Sequence, residues 1–167
     1  PSGGNTWFPV NEHPLDKATY TFRITVAEPN IVGANGTLIE VIDNGDTSTY
    51  VWEMDDPMAS YLATLAIGDF NIVTDESASG IPIRNYFSTA FNSFDLAPFE
   101  HQAEMIDYLE TVFGPYPFDV YGSVVHDYPL NFALETQTLS TFGSNLPGEG
   151  TIVHELAHAW FGDSLSV

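Results

Sequence analysis

Residues 151–167 read TIVHELAHAWFGDSLSV. His154 and His158 stand four apart, so on a helix both imidazoles share one face, one turn apart. Two neutral imidazoles placed this way can bind one Zn²⁺ at about 2.0–2.1 Å. Glu155 follows the first of them. From there its carboxylate can reach a water at the metal and take the proton as that water attacks a carbonyl. Val153, Leu156, Ala157 and Trp160 form an apolar stripe beside the histidine face, as a helix half-buried under a cleft requires. A catalytic zinc takes three protein ligands and keeps one position open. The longer pattern HExxHxxGxxH needs glycine at position 161 and histidine at 164, where the chain has Phe161 and Ser164. The one acid after His158 is Asp163, rotated away from the histidine face of a continuing helix, so no third ligand shows downstream.

Upstream of this helix, expected from about Thr151 to near the end, the pattern changes character. Thr19 to Val26 alternates polar and apolar residues, the period of a half-buried strand. The runs Thr37 to Asp43 and Ser48 to Met54 flank Asn44-Gly45, a hairpin signal because both turn positions favour positive φ. Tyr61 to Phe70 is apolar and reads as a buried strand, and Ile83 to Ser88 as one more. Between them Thr74 to Gly80 (TDESASG) is small, polar and rich in breakers, which marks a domain boundary. Phe99, Ala103, Ile106, Leu109, Val112 and Phe113 fall at helical spacing, predicting a helix from about 95 to 113 with Asp95 as its N-cap and Gly114-Pro115 as its stop. Tyr121 to Asp127 and Asn131 to Phe142 read as two strands.

Composition excludes several classes. The chain has 167 residues, 23 acidic against 3 basic side chains, and a net charge of −20, which rules out a phosphate-tracking nucleic-acid surface and docking on anionic lipid. With no cysteine there is no disulfide framework, thiolate metal site or cysteine nucleophile. No apolar run reaches the roughly 20 residues of a membrane span, and Pro1-Ser2-Gly3-Gly4 is neither a signal peptide nor a natural start. The compartment stays open.

Several segments, in order, carry a resemblance. His154 to Ser166 resembles the zinc helix of the aminopeptidase N family, the gluzincin metallo-aminopeptidases. Thr6 to Pro14 (TWFPVNEHP) is similar to the family's WFPC-x-D-x-P signature, with Val10 where Cys is usual and Glu12 where Asp is usual. Phe113 to Gly122 matches the segment after the first helix of the catalytic domain. Asn131 to Thr136 (NFALET) aligns with the exopeptidase motif G-x-M-E-N, with Phe132, Leu134 and Thr136 departing from it and Glu135 retained. The resemblance implies an α+β chain. Residues 1–79 would be the later half of a β-rich amino-terminal domain, and 80–167 the first portion of a thermolysin-like domain, so that the chain is an internal fragment of a longer protein.

It further implies zinc as cofactor on His154 and His158, Glu155 as general base, and substrate binding at Glu135 and Ala133. Glu135 would pair with the free α-ammonium group of a peptide, limiting cleavage to the first bond. The third zinc ligand and a transition-state tyrosine would lie beyond Val167. The expected function is therefore a zinc-dependent aminopeptidase, with the fragment itself inactive and able to self-associate. The alternatives are a thermolysin-like endopeptidase, which shares HELAH, and a non-catalytic β-rich binding module whose HELAH is incidental. His126-Asp127 reads as structural, because the zinc helix already explains the chemistry.

Overall fold

In the chain's four-stranded sheet, neighbouring residues of the two central strands serve two different cores. A computed structural model describes residues 4–92 and 96–166. Nine strands run in chain order: β1 (Lys17–Ala27), β2 (Ile31–Ala34), β3 (Thr37–Asp43), β4 (Thr47–Ala59), β5 (Leu65–Gly68), β6 (Phe70–Glu76), β7 (Pro82–Ser88), β8 (Tyr121–Val125) and β9 (Ser140–Phe142). Helix α1 (Gln102–Phe113) precedes β8 and helix α2 (Glu149–Ala157) follows β9. The architecture is the sheet-rich α+β arrangement that the sequence implies. No helix among the described residues is long and apolar enough to cross a membrane.

Strands β1, β4 and β3 form one antiparallel sheet, and β2 pairs with β5 in a second. The β3–β4 hairpin forms as expected but turns on Gly45-Asp46, with Gly45 (φ 90°) and not Asn44 at positive φ: Gly45 N–H donates to Asp43 Oδ1 (2.7 Å), and Asn44 N–H donates to Thr47 O (2.9 Å). The third sheet has the order β6-β7-β8-β9, antiparallel at β6–β7 and parallel thereafter. From it Tyr86 and Val124 pack with Val26, Val32 and Trp52 of the first two sheets. On the other face Phe87 and Val125 pack with Phe99, Phe142 and Ile152. A third cluster joins Met54, Met58 and Leu62 to Ile106, Leu109, Leu156 and Trp160. The first half of the chain and the helical half thus share cores.

Four sequence expectations change. The 74–80 segment is the turn of a hairpin, because β6 and β7 pair from Phe70↔Ser88 to Glu76↔Pro82; a turn and a linker use the same small, polar residues. The change of sheet falls earlier, at Asp69, between β5 and β6. The apolar run from Tyr61 to Phe70 is therefore not one strand: a 3₁₀ turn at Ser60–Leu62 leads into β5, and Phe70 opens β6. Of Asn131 to Phe142 only Ser140–Phe142 is strand, since the chain turns at Thr138 (φ 65°) and Leu139 N–H bonds back to Thr136 O (2.9 Å). The helix expected over 95–113 is a 3₁₀ turn, Ala97–Phe99, followed by α1; its proposed cap, Asp95, lies outside the described residues.

Cations bridge the halves. Arg84 Nη2 on β7 donates to Ala34 O (2.8 Å) and Gly36 O (2.7 Å), and its guanidinium lies 5.0 Å from the Trp52 ring centroid. Gly36 itself has φ +79°, and a Cβ there would stand 1.9 Å from Glu53 O. Gly36→Ala combines a disfavoured backbone with a clash against main chain. It should destabilise by about 2–4 kcal/mol, read as a lower urea midpoint at unchanged m-value; an unchanged midpoint would refute this account of the close approach.

Candidate metal and peptide-binding site

Helix α2 begins where Pro147-Gly148 breaks the chain, with Gly148 extended (φ −81°, ψ 167°) and its carbonyl accepting from Thr151 N–H (3.0 Å). Ile152 and Leu156 are wholly buried, which fixes the helix rotation and leaves His154 exposed and His158 half-buried on the opposite side. The helix does not run to the chain's end. It stops at Ala157, the backbone reverses through Gly162 (φ 132°), and Asp163 N–H bonds to His158 O (3.0 Å). Trp160 Nε1–H anchors this reversal to Gly114 O and Pro115 O (3.1 Å each) at the end of α1.

The histidine rings lie 4.9 Å apart, nearly perpendicular (89°). His158 Nδ1 is 2.9 Å from Phe161 O. A carbonyl can only accept, so Nδ1–H donates, which leaves Nε2 as the nitrogen with which a neutral ring ligates metal. One donor atom each of Glu135, Glu155 and His158 lie within 4.8 Å of one another. His154 is outside that set, one helical turn away. Glu155 is 7% exposed. Burial raises its carboxyl above the ordinary value; the two imidazoles draw it down and Glu135 pushes it up.

Glu135 arrives from the first half's side. Leu134 and Thr141 exchange both main-chain hydrogen bonds (3.0 and 2.8 Å), holding the preceding residue in place. The turn that follows is pinned by Asn35 Nδ2 donating to Gln137 O (2.6 Å) and Gly36 N–H donating to Thr138 Oγ1 (2.8 Å). Ala133 is half-buried and, with Thr151, lines a recess of about 300 Å³ on which Phe132 stands 58% exposed.

Three further residues stand beside the site: Asp163, which a continuing helix would have rotated away, and Lys17 and Tyr61, which had no sequence signal of their own. The backbone reversal brings Asp163, 3% exposed, close enough to Glu135 and Glu155 that burial and their charges push its carboxyl up to about 9, against the pull of Lys17. Lys17 Nζ donates to the carbonyls of Asp163 and Ser164. Tyr61 is pushed up to about 12, by burial first and then by Glu135 and Asp163. Only a helix end placed at Gly162 would have pointed to Asp163; Lys17 is 146 positions from Asp163 and Tyr61 far from Glu135 in sequence, both beyond any local pattern.

The donor set fits a dication. Imidazole nitrogen and carboxylate oxygen are the ordinary zinc ligands, and carboxylates crowded in a buried place are relieved by a positive ion.

Over its whole length the chain is similar to zinc metallopeptidases of the M1 family. It superposes on the M1 zinc metallopeptidase of Deinococcus radiodurans with a TM-score of 0.89 and 30% identity, covering 100% of this chain and 39% of that one. A mutant of the same enzyme, bound to a Tyr-Ser-Ala substrate, gives 0.91 at 29% identity and the same coverage. Among curated proteins, Aminopeptidase M1 of Arabidopsis thaliana is 26% identical over 100% of this chain and 21% of its own length. Leucine aminopeptidase 2 of Vanderwaltozyma polyspora is 30% identical over 93% of this chain and 24% of its own. The chain therefore spans about a fifth to a quarter of these curated relatives. No family model matches it.

Proposed function

We propose that this chain is part of a zinc-dependent aminopeptidase, the whole protein removing the amino-terminal residue from peptides. The observation that carries the reading is the convergence of Glu135, Glu155 and His158 donors within 4.8 Å, with His154 one turn away on the same helix. In this reading His154 and His158 hold one zinc ion and a third protein ligand comes from outside residues 1–167. Zinc, when bound, supplies Lewis acidity at the scissile carbonyl and acidifies water. Glu155 accepts the proton of the attacking water and passes it to the departing amine. Glu135 accepts hydrogen bonds from the substrate's α-ammonium group, and the main chain at Ala133 borders the bound peptide. The tripeptide in the Deinococcus radiodurans structure supports a peptide substrate.

The division into a β-rich domain and the start of a thermolysin-like domain belongs to the same proposal, with the boundary moved from residues 79/80 to Asp69 because β6 pairs along β7. With two imidazoles as its zinc ligands, the 167-residue chain alone should be inactive or nearly so. The exposed Tyr108, Val112, Phe113 and Phe161 favour its self-association.

The test compares free and amino-acetylated peptides with the whole protein. Free peptides should be cleaved and acetylated ones spared, and Glu135→Gln should raise KM for free peptides and shrink that preference. Preference for acetylated peptides would replace this reading with an endopeptidase; absence of zinc binding would end it.

A further inference from the structure

At the carboxyl ends of β7 and β8, where they meet the turn between β5 and β6, lies a second recess of about 190 Å³, separate from the His154–His158 site. His126, the residue after β8, stacks on Tyr128 with ring centroids 4.8 Å apart and planes 23° from parallel. Phe70 meets the same imidazole edge-on, at 6.3 Å and 65°. Tyr128 keeps 51% of its surface exposed although His126 covers one side of its ring. Asp127 and Asp69 stand at the opening; Thr89 holds the latter, its N–H donating to Asp69 O and its hydroxyl to Asp69 Oδ2 (3.2 Å each).

This recess has aromatic walls, two carboxylates and no positive charge. Burial holds the His126 imidazole below its ordinary value, against the pull of Asp127, and so disfavours its charged form. The chain's three basic side chains are Lys17, Arg23 and Arg84; none lines the recess. We propose that the recess binds an organic cation, the guanidinium or alkylammonium group of a basic side chain or of a free amine. An aromatic face and a carboxylate together attract such a group, which needs no complete coordination shell. Mg²⁺ and Ca²⁺ suit it poorly, because they demand six or more oxygen ligands and the carboxylates here are those of Asp69 and Asp127, set beside three rings. The volume suits one side chain and falls below that of a drug-sized pocket. The assignment is independent of the peptidase reading.

The ¹⁵N-labelled chain can be titrated with butylguanidinium, acetylarginine amide, neutral butylurea and Mg²⁺, with amide shifts as the readout. Butylguanidinium should give saturable shifts clustered at Gly68, Asp69, Thr89, Asp127 and Tyr128, and butylurea and Mg²⁺ should not. Binding of acetylarginine amide as well assigns the recess to basic side chains; its exclusion assigns it to free amines, and the cation chemistry stands in both cases. Tyr128→Leu should weaken binding roughly 2- to 5-fold. The exposed Asp127→Asn should weaken it too, and tests the same recess if the first variant folds poorly. Shifts scattered over the acidic surface, equal binding of butylurea, or affinities unchanged in both variants would overturn the proposal.

Discussion

Glu155→Gln in the whole protein is expected to lower kcat about 10²- to 10⁴-fold while zinc content and KM stay close to those of the wild type. The amide is the same size as the carboxyl and fills the same buried space, but it cannot accept a proton. The fold should not suffer. Glu155 is buried beside Glu135, and both burial and that neighbour already disfavour its charge, so the neutral amide should leave the melting temperature equal or higher. His158→Ala is the contrasting variant: it should lose zinc along with activity, because it removes a proposed ligand. Fluorogenic peptide assays with metal analysis separate the two. A Glu155→Gln protein that keeps more than about a tenth of wild-type kcat would remove Glu155 from the proton-transfer role.

Trp52→Ala should destabilise the chain by about 3–5 kcal/mol, the largest stability effect expected of any single truncation here. Trp52 is wholly buried on β4, packed among Val26, Val32, Tyr86 and Val124, with the Arg84 guanidinium over its ring. Removing it opens a cavity where the three sheets meet and strips that guanidinium of its aromatic neighbour. Domains of this size are commonly stable by only about 5–15 kcal/mol, so much of the margin would be lost. Urea unfolding monitored by tyrosine fluorescence and circular dichroism gives the measurement. Trp52→Phe, which keeps a ring, should recover most of the loss. A loss below about 1 kcal/mol for the alanine variant would mean that the seam is not held by this core.

The residues explain unevenly what could be read before the fold was known. The alternation of Tyr20, Phe22, Ile24 and Val26 and the Asn44-Gly45 signal gave β1 and the β3–β4 hairpin, because period and turn chemistry are local. HELAH marked the functional helix for the same reason. Its end is not local: apolar residues continue at helical spacing through Trp160 and Phe161, but Gly162 reverses the backbone and Trp160 anchors on the end of α1. Asp163, rotated away on a continuing helix, enters the site only through that reversal. The 74–80 segment was ambiguous in principle, since the pairing of Phe70 with Ser88 decides between hairpin and linker, and pairing is not encoded in the turn. Tyr61 and Lys17 reach the site through tertiary packing alone.

The turn after Glu135 is fastened by Asn35 and Gly36, and this has a consequence for engineering. A chimera that grafts α2 and its neighbouring strands onto a foreign β-scaffold would inherit the imidazoles but leave Glu135, the proposed amine anchor, adrift. Selectivity for chain ends would decay before metal affinity did, so the smallest transplantable cassette must include the loop from Asn35 to Gly36 as well.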